Sequence, residues 1–247
     1  MKSALGDSLR SETTMQKLRM GPKAEAAKPN LVELAYEAIK RAVLENAYPP
    51  GYQAGEVEIA RQLDMSRTPV HEAMARLQEE GLVRILPRRG ILVRGLSPDD
   101  IDEIYDVIIA LEGAAGERLA RLPEIDRERI AGKLEGFTAE MSAALVKGDR
   151  LAWAQADKSF HACLADDCGN ERLDRIVGTV TDQLHRARMF TLNLRPLPTL
   201  SALEHQALTD AIRAGDADRA NQAARRHRQH ARDQLVPLLR QLNLSNL

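Results

Sequence analysis

Hydrophobic residues in this chain recur mostly every three or four positions, the spacing of one buried face on an α-helix. Three such segments come first, each ended by a breaker or a tight turn. The segments run from Leu31 to Pro49, from Glu56 to Leu63 and from Ser66 to Gly81. In the third segment, Ser66 is the expected N-cap that accepts a backbone hydrogen bond, Pro69 lies in the first turn, and Gly81 is the expected C-terminal cap. Val70, Met74 and Leu77 are expected to face inward.

A short stretch that predicts two β-strands follows the third helix. Apolar residues on either side of Pro87-Arg88-Arg89-Gly90 predict a β-hairpin with a basic tip. Two short helices joined by a tight turn and followed by a hairpin form a winged helix-turn-helix, whose second helix enters the major groove of DNA. The expected DNA contacts are Ser66, Arg67, Thr68 and His71 on that helix, and Arg88, Arg89 and Gly90 on the wing.

The rest of the chain predicts a helical bundle. Ser97-Pro98 supplies an N-cap and a first helical residue, and periodicity then predicts about six helices. They run roughly over 98–121, 126–147, 150–167, 171–193, 198–213 and 216–243. The expected fold class is therefore mainly α, with a flexible arm at 1–30, a winged helix-turn-helix at 31–95 and an all-α bundle at 96–247.

Charge and composition narrow the class of protein only a little. The formal net charge is −1, and residues 31–95 hold nine Lys and Arg against nine Asp and Glu. Any DNA-binding surface must therefore come from the local arrangement of charges. The longest strongly apolar run, Val107–Leu111, is far below the roughly 20 residues that span a bilayer. Together with two cysteines that form no CxxC pair, this favours a cytoplasmic protein with reduced, packed thiols.

Four side chains in the predicted bundle have the chemistry of a metal site. Asp157 and His161 are four residues apart and share one helix face, while His205 and His227 lie on the last two predicted helices. One carboxylate and three imidazoles suit Zn²⁺, Ni²⁺ or Mn²⁺. Taken singly, each histidine could instead be an ordinary surface or core residue. His185 and His230 keep that ordinary interpretation.

The segment "MSRTPVHEAMARLQEEGLVRILPRRGILV" resembles the DNA-binding domain of GntR-family bacterial transcription factors. Two positions depart from the usual pattern, because His71 and Val57 stand where the family commonly has arginines that touch DNA. The operator sequence is therefore not implied by the resemblance. The alternative for His71 is that it packs against Val57 or a neighbouring turn.

The segments "DKSFHACLADDCGNERL", "EHQALTDAIRAGDADRA" and "ARRH" resemble the ligand-binding FCD domain of the FadR subfamily, in its shorter, VanR-like form. The resemblance implies that the Asp and three His hold a divalent metal. It also implies a homodimer that binds an inverted-repeat operator under the control of a small carboxylate effector. The family commonly has an effector-binding arginine where this chain has Ile108. Arg186 or Arg188 could replace it, and the missing clamp predicts an effector less acidic, bulkier or more apolar than a small dicarboxylate.

Two alternatives to a metabolite-controlled repressor follow from the same four residues. The metal itself could be the signal, which would make the protein a metal-responsive regulator. A metal with an open coordination position could also activate water, which would make it a hydrolase. No residue stands out as a general base, however, and an enzyme would leave the DNA-binding half unexplained.

Overall fold

The computed structural model of the protein describes residues 30–242. Its elements follow the predicted order, with one additional short strand. They are α1 (Leu31–Leu44), β1 (Gln53–Ala54), α2 (Glu56–Gln62), α3 (Arg67–Glu79), β2 (Val83–Leu86), β3 (Gly90–Val93), α4 (Pro98–Ala120), α5 (Glu124–Lys147), α6 (Arg150–Asp166), α7 (Glu171–Phe190), α8 (Ser201–Ala214) and α9 (Ala217–Gln241). The arm predicted at 1–30 lies outside the described residues except for Asn30, which caps α1 by accepting from Val32 and Glu33.

The winged helix-turn-helix (residues 31–93) is built as the sequence predicts, with one strand more. The predicted hairpin β2–β3 is antiparallel, and β1 joins its other edge, so that the strand order is β1-β3-β2. A two-residue strand has too few positions to show the alternation that reveals a strand in sequence. Gly90 has a φ of +86°, and a Cβ there would lie 2.0 Å from the Ala54 carbonyl oxygen. This glycine therefore lets β1 approach the wing.

The two ends of α3 differ in how well they were predicted. Val70, Met74 and Leu77 are buried, and Gly81 closes the helix with its N–H on Gln78 and the next N–H on Leu77. The expected side-chain cap by Ser66 is wrong, because its hydroxyl makes no cap hydrogen bond. The third helical residue, a usual donor to such a cap, is Pro69, which has no N–H.

The helical bundle (α4–α9) contains all six predicted helices. Ser97 begins α4 with a reciprocal capping box to Asp100. Helix α8 begins at Ser201, three residues after the predicted start at Pro198, and 191–200 form an irregular connection from α7. Both cysteines, Cys163 and Cys168, are free and buried. Within residues 30–242, every helix is too short or too polar to cross a membrane.

Helix α7 joins the bundle to the winged helix-turn-helix. The Asp182 Oδ2 lies 2.7 Å from the Lys40 Nζ of α1. One residue later, the Gln183 amide donates to the Glu80 carbonyl oxygen at the end of α3, at 2.6 Å. Arg186 donates to the backbone oxygen of Arg94, which follows β3, at 2.8 Å. Three contacts from one helix therefore reach α1, the end of α3 and the base of the wing.

Candidate functional site

The four residues singled out in the bundle form one buried cluster. The ligand atoms of Asp157, His161, His205 and His227 all lie within 4.8 Å of one another. The three histidine Nε2 atoms are 3.1–3.3 Å apart, and the Asp157 Oδ1 lies 3.7 Å from two of them. Nitrogens bound to one Zn²⁺ at about 2.0–2.1 Å in a tetrahedron are separated by about 3.3 Å. The spacing of this set therefore fits a single small cation.

The hydrogen-bond partner of each histidine Nδ1 determines which ring nitrogen carries the proton, and therefore whether Nε2 has a free lone pair. His227 Nδ1 is 2.8 Å from a Glu204 carboxylate oxygen, and His205 Nδ1 is 3.5 Å from the Ser201 hydroxyl. Glu112 Oε2 lies 3.0 Å from His161 Nδ1, within ion-pair distance but outside hydrogen-bond alignment. A carboxylate requires the proton on Nδ1, which leaves Nε2 with a lone pair. The three Nε2 atoms thus converge on one point, and the carboxylate partner of His227 favours a lone pair there.

The charges of the cluster also suit a cation. Burial raises the pKa of Asp157, but the Arg188 guanidinium and the contact with His161 outweigh it and hold that pKa well below its usual value. Burial lowers the pKa of both His205 and His227. An ionised carboxylate and neutral imidazoles are the forms that bind a divalent metal.

A buried ion pair lies next to the cluster, on the side of His161. Arg228 of α9 donates through Nε to Glu112 of α4 at 2.7 Å and makes a second bond to the other carboxylate oxygen. Each of the two side chains is 1% exposed. Burial raises the pKa of Glu112, but Arg228 and His161 outweigh it and hold the pKa far below its usual value. The carboxylate beside His161 is therefore ionised.

A cavity of about 430 Å³ opens beside the cluster and shares Asp157 and His227 with it. Its wall also contains Arg188, Arg195 and Trp153. Arg188 donates to Asp157 Oδ2 at 2.5 Å. Among the described residues, the buried Trp153 Nε1 and Arg195 Nε have no hydrogen-bond acceptor. Two of the residues in this wall therefore carry a buried N–H group that lacks an acceptor in the described part of the chain.

The two arginines named from the sequence lie in different places. Arg188 lines the cavity, whereas Arg186 is buried against the Arg94 backbone at the junction with the winged helix-turn-helix. Ile108 is fully buried in the core formed by α4, α7 and α9 and does not line the cavity. Arg188, one of the two arginines named as a replacement, therefore lines the cavity together with Arg195. The expectation of an effector less acidic, bulkier or more apolar than a small dicarboxylate stays a prediction. Arg195 could have been suspected only as an arginine between apolar residues in "NLRPL".

The residues proposed for DNA contact lie on the surface of the winged helix-turn-helix. Ser66, Arg67, Thr68 and His71 are exposed at the leading end of α3, and Arg88 and Arg89 are exposed at the tip of the wing. His71 is 3.1 Å from a carboxylate oxygen of Glu56 rather than packed on Val57, which is itself 63% exposed. Sequence reasoning missed Glu56.

Comparisons with known proteins agree with this architecture. The family model described as bacterial regulatory proteins, gntR family, matches residues 31–93, and the FCD domain model matches residues 103–230. An HTH-type transcriptional regulator from the TAR-I ttuE–ttuC′ intergenic region of Agrobacterium vitis is 58% identical over 133 residues, which are 54% of this chain and 78% of that protein. A probable D-xylose utilization operon transcriptional repressor of Paenarthrobacter nicotinovorans is 30% identical over 185 residues, 75% of this chain and 80% of that protein.

Solved structures show the same fold at low sequence identity. E. coli McbR/YncC has a TM-score of 0.69 and 19% identity, with 86% of this chain and 98% of that chain covered. A putative GntR transcriptional regulator from Rhodococcus sp. RHA1 has a TM-score of 0.66 and 23% identity, with 83% and 97% covered. The chain therefore belongs to the GntR family of bacterial DNA-binding transcriptional regulators, with an FCD domain as its helical bundle, and is not an enzyme.

Proposed function

We propose that the protein is a homodimeric repressor whose operator binding is controlled by a small carboxylate that binds in the cavity next to a divalent metal. Residues 31–95 bind DNA in this proposal, and residues 96–247 hold the metal and the effector and form the dimer. Asp157, His161, His205 and His227 hold the ion, with Zn²⁺ as the first candidate and Ni²⁺ or Mn²⁺ as the others. When bound, the ion supplies a Lewis-acidic contact for an effector oxygen.

The observation that carries the effector proposal is the set of unpaired donors in the cavity wall. Buried N–H groups are nearly always paired in proteins, and the Nε1–H of Trp153 and the Nε–H of Arg195 find no acceptor within residues 30–242. Both residues line the cavity, as does Arg188. A ligand with carboxylate oxygens supplies the acceptors that these groups lack, and the positive charge of the arginines favours an anion.

The contacts of α7 supply the route from effector to DNA. Arg188 holds Asp157 in the cluster, and an effector carboxylate would compete for the same guanidinium. Asp182 and Gln183, six and five residues before Arg188 on α7, contact the winged helix-turn-helix. A shift of this helix would change the placement of the winged helix-turn-helix and its fit to successive major grooves, which is a population shift between two arrangements.

The effector proposal is tested with Arg195→Ala. DNA sites are first selected from a random pool by the full-length protein, and monocarboxylates and dicarboxylates are then screened for stabilisation and for release of that DNA. Loss of charge-assisted hydrogen bonds of about 1.5–3 kcal/mol should weaken binding of an active carboxylate by about 10–150-fold. The control Arg226→Ala removes an exposed guanidinium of α9 that does not line the cavity.

Three outcomes of the screen separate the alternatives. Weaker binding in Arg195→Ala alone supports the cavity as the effector site. If metal addition changes DNA affinity while no carboxylate does, the protein is a metal-responsive regulator. If carboxylates bind equally well to Arg195→Ala and to the parent, the effector does not use this wall.

A separate prediction concerns the wing. Each phosphate neutralised by a basic side chain contributes about −0.9 to the slope of log affinity against log salt. Arg88 and Arg89 are exposed at the wing tip, so replacing both by alanine should make the slope less steep by up to about 2. The control replaces Arg121 and Arg172, two exposed arginines of the bundle, and so removes the same charge. An equal slope in the wing variant and the parent would remove the wing from the phosphate contacts.

A further inference from the structure

One carboxylate joins the leading end of α3 to the start of α2. Glu56 Oε1 accepts from Arg67 Nε at 2.8 Å, and Glu56 Oε2 lies 3.1 Å from His71 Nδ1. The Arg67 and His71 side chains are 68% and 62% exposed, whereas that of Glu56 is 18% exposed. Glu56 is therefore an anchored group that holds two side chains projecting into solvent.

Because Glu56 is ionised, the His71 ring nitrogen that faces it must carry a proton. Burial raises the pKa of Glu56, but hydrogen bonds from Arg67 and His71 outweigh it, so the pKa lies below its usual value. An ionised carboxylate only accepts hydrogen bonds, so His71 must carry a proton on Nδ1. In neutral His71 the free Nε2 is then an acceptor. Arg67, bound through Nε, keeps its two terminal nitrogens for another partner.

The Nε2 acceptor of His71 and the terminal N–H donors of Arg67 match different base edges in the major groove. Adenine N6 and cytosine N4 are amino donors, whereas guanine and thymine present acceptors at the equivalent places. We propose that Glu56 is the positioning residue of the DNA-reading helix: it sets neutral His71 to accept from the amino group of adenine or cytosine, and Arg67 to grip guanine through its terminal fork. The proposal rests on the proposed role of α3 in reading DNA.

In this proposal Glu56 orients the side chains of Arg67 and His71 and contributes little to the stability of the fold. Ion pairs of exposed side chains contribute little to folding because solvent screens them. Both partners of Glu56 are mostly exposed, so the winged helix-turn-helix should fold without this contact. A change of base preference in a Glu56 variant would then report the reading geometry rather than loss of structure.

Glu56→Gln tests the assignment because an amide reverses one of the two contacts. The amide oxygen still accepts from Arg67, so the amide nitrogen faces His71 and donates to Nδ1. The ring proton must then sit on Nε2, which becomes a donor. In DNA selection by full-length protein at about pH 8, where an ordinary imidazole is neutral, one position of each half-site should change from adenine or cytosine to guanine or thymine, with a shift in preference of about fivefold or more. The remaining positions should stay the same.

Glu58→Gln is the matched control, since it removes a carboxylate of the same helix that contacts Gln62 rather than α3. A second measurement needs no DNA: two-bond ¹H–¹⁵N spectra, with the His71 signals identified from their loss in His71→Ala, report which ring nitrogen carries the proton. We expect Nδ1 in the parent and in Glu58→Gln, and Nε2 in Glu56→Gln.

Two results would overturn the proposal. An unchanged His71 tautomer in Glu56→Gln shows that Glu56 does not set it, and a changed tautomer with unchanged base preference shows that His71 does not read the base through Nε2. Failure of the parent protein to select any sequence would have a different meaning, because it contradicts DNA reading by α3 itself and the proposal with it.

Discussion

Removal of divalent metal is expected to lower the melting temperature of the protein by about 8–16 °C. An ion at about 1,000 times its dissociation constant stabilises the folded state by about 4 kcal/mol, and about 1 kcal/mol corresponds to 2–4 °C for a chain of this size. The folded chain brings one carboxylate and three imidazole ligand atoms within 4.8 Å of one another, whereas the unfolded chain does not. The measurement is calorimetry before and after chelation, with elemental analysis of protein purified without a histidine tag.

Two histidine variants separate metal loss from loss of packing. His205→Ala removes one donor, so chelator should no longer shift its melting temperature, whatever its starting stability. His185→Ala removes another partly buried imidazole that lies outside the cluster, and it should keep the response to chelator. Two results together would contradict the metal site: purified parent protein that contains no metal, and a parent melting temperature that is the same with and without chelator. The cluster would then consist of ordinary core histidines.

The cluster was accessible to sequence reasoning for specific reasons. Asp157 and His161 lie four residues apart on one helix, so their common face follows from helical geometry alone. That His205 and His227 would meet them required the packing of three helices, which the family resemblance supplied and periodicity could not. The helices themselves were predictable because strong breakers and caps mark their ends, as Ser97-Pro98 does for α4.

The charged residues behind the site were not found from the sequence. Glu112 and Arg228 each look like ordinary polar positions of an amphipathic helix, and 116 residues separate them in the chain. One signal was present: Glu112 lies four residues after Ile108 and therefore shares its buried face. Glu56 was missed for a similar reason, since its partners belong to another helix. Such contacts depend on packing between elements, whereas a helical pattern depends only on neighbours within one element.

Replacement of Arg228 by methionine is expected to destabilise the protein by about 3–5 kcal/mol. The substitution leaves Glu112 buried without its strongest partner, and an uncompensated buried charge has this cost. Denaturant unfolding of the metal-free protein measures the change. The control Arg232→Met breaks a more exposed pair with Asp102 on the same two helices, and it should cost about 0–1 kcal/mol.

A double variant separates folding from metal binding at the same pair. Glu112→Leu with Arg228→Met replaces two buried charges by apolar side chains, which should recover much of the stability lost in Arg228→Met. The carboxylate beside His161 Nδ1 is then gone, and loss of such an outer partner typically weakens metal affinity by about 10–100-fold. A double variant that regains stability but binds metal weakly would show that Glu112 orients His161. Full metal affinity in that variant would mean that the pair serves only the packing of α4 against α9.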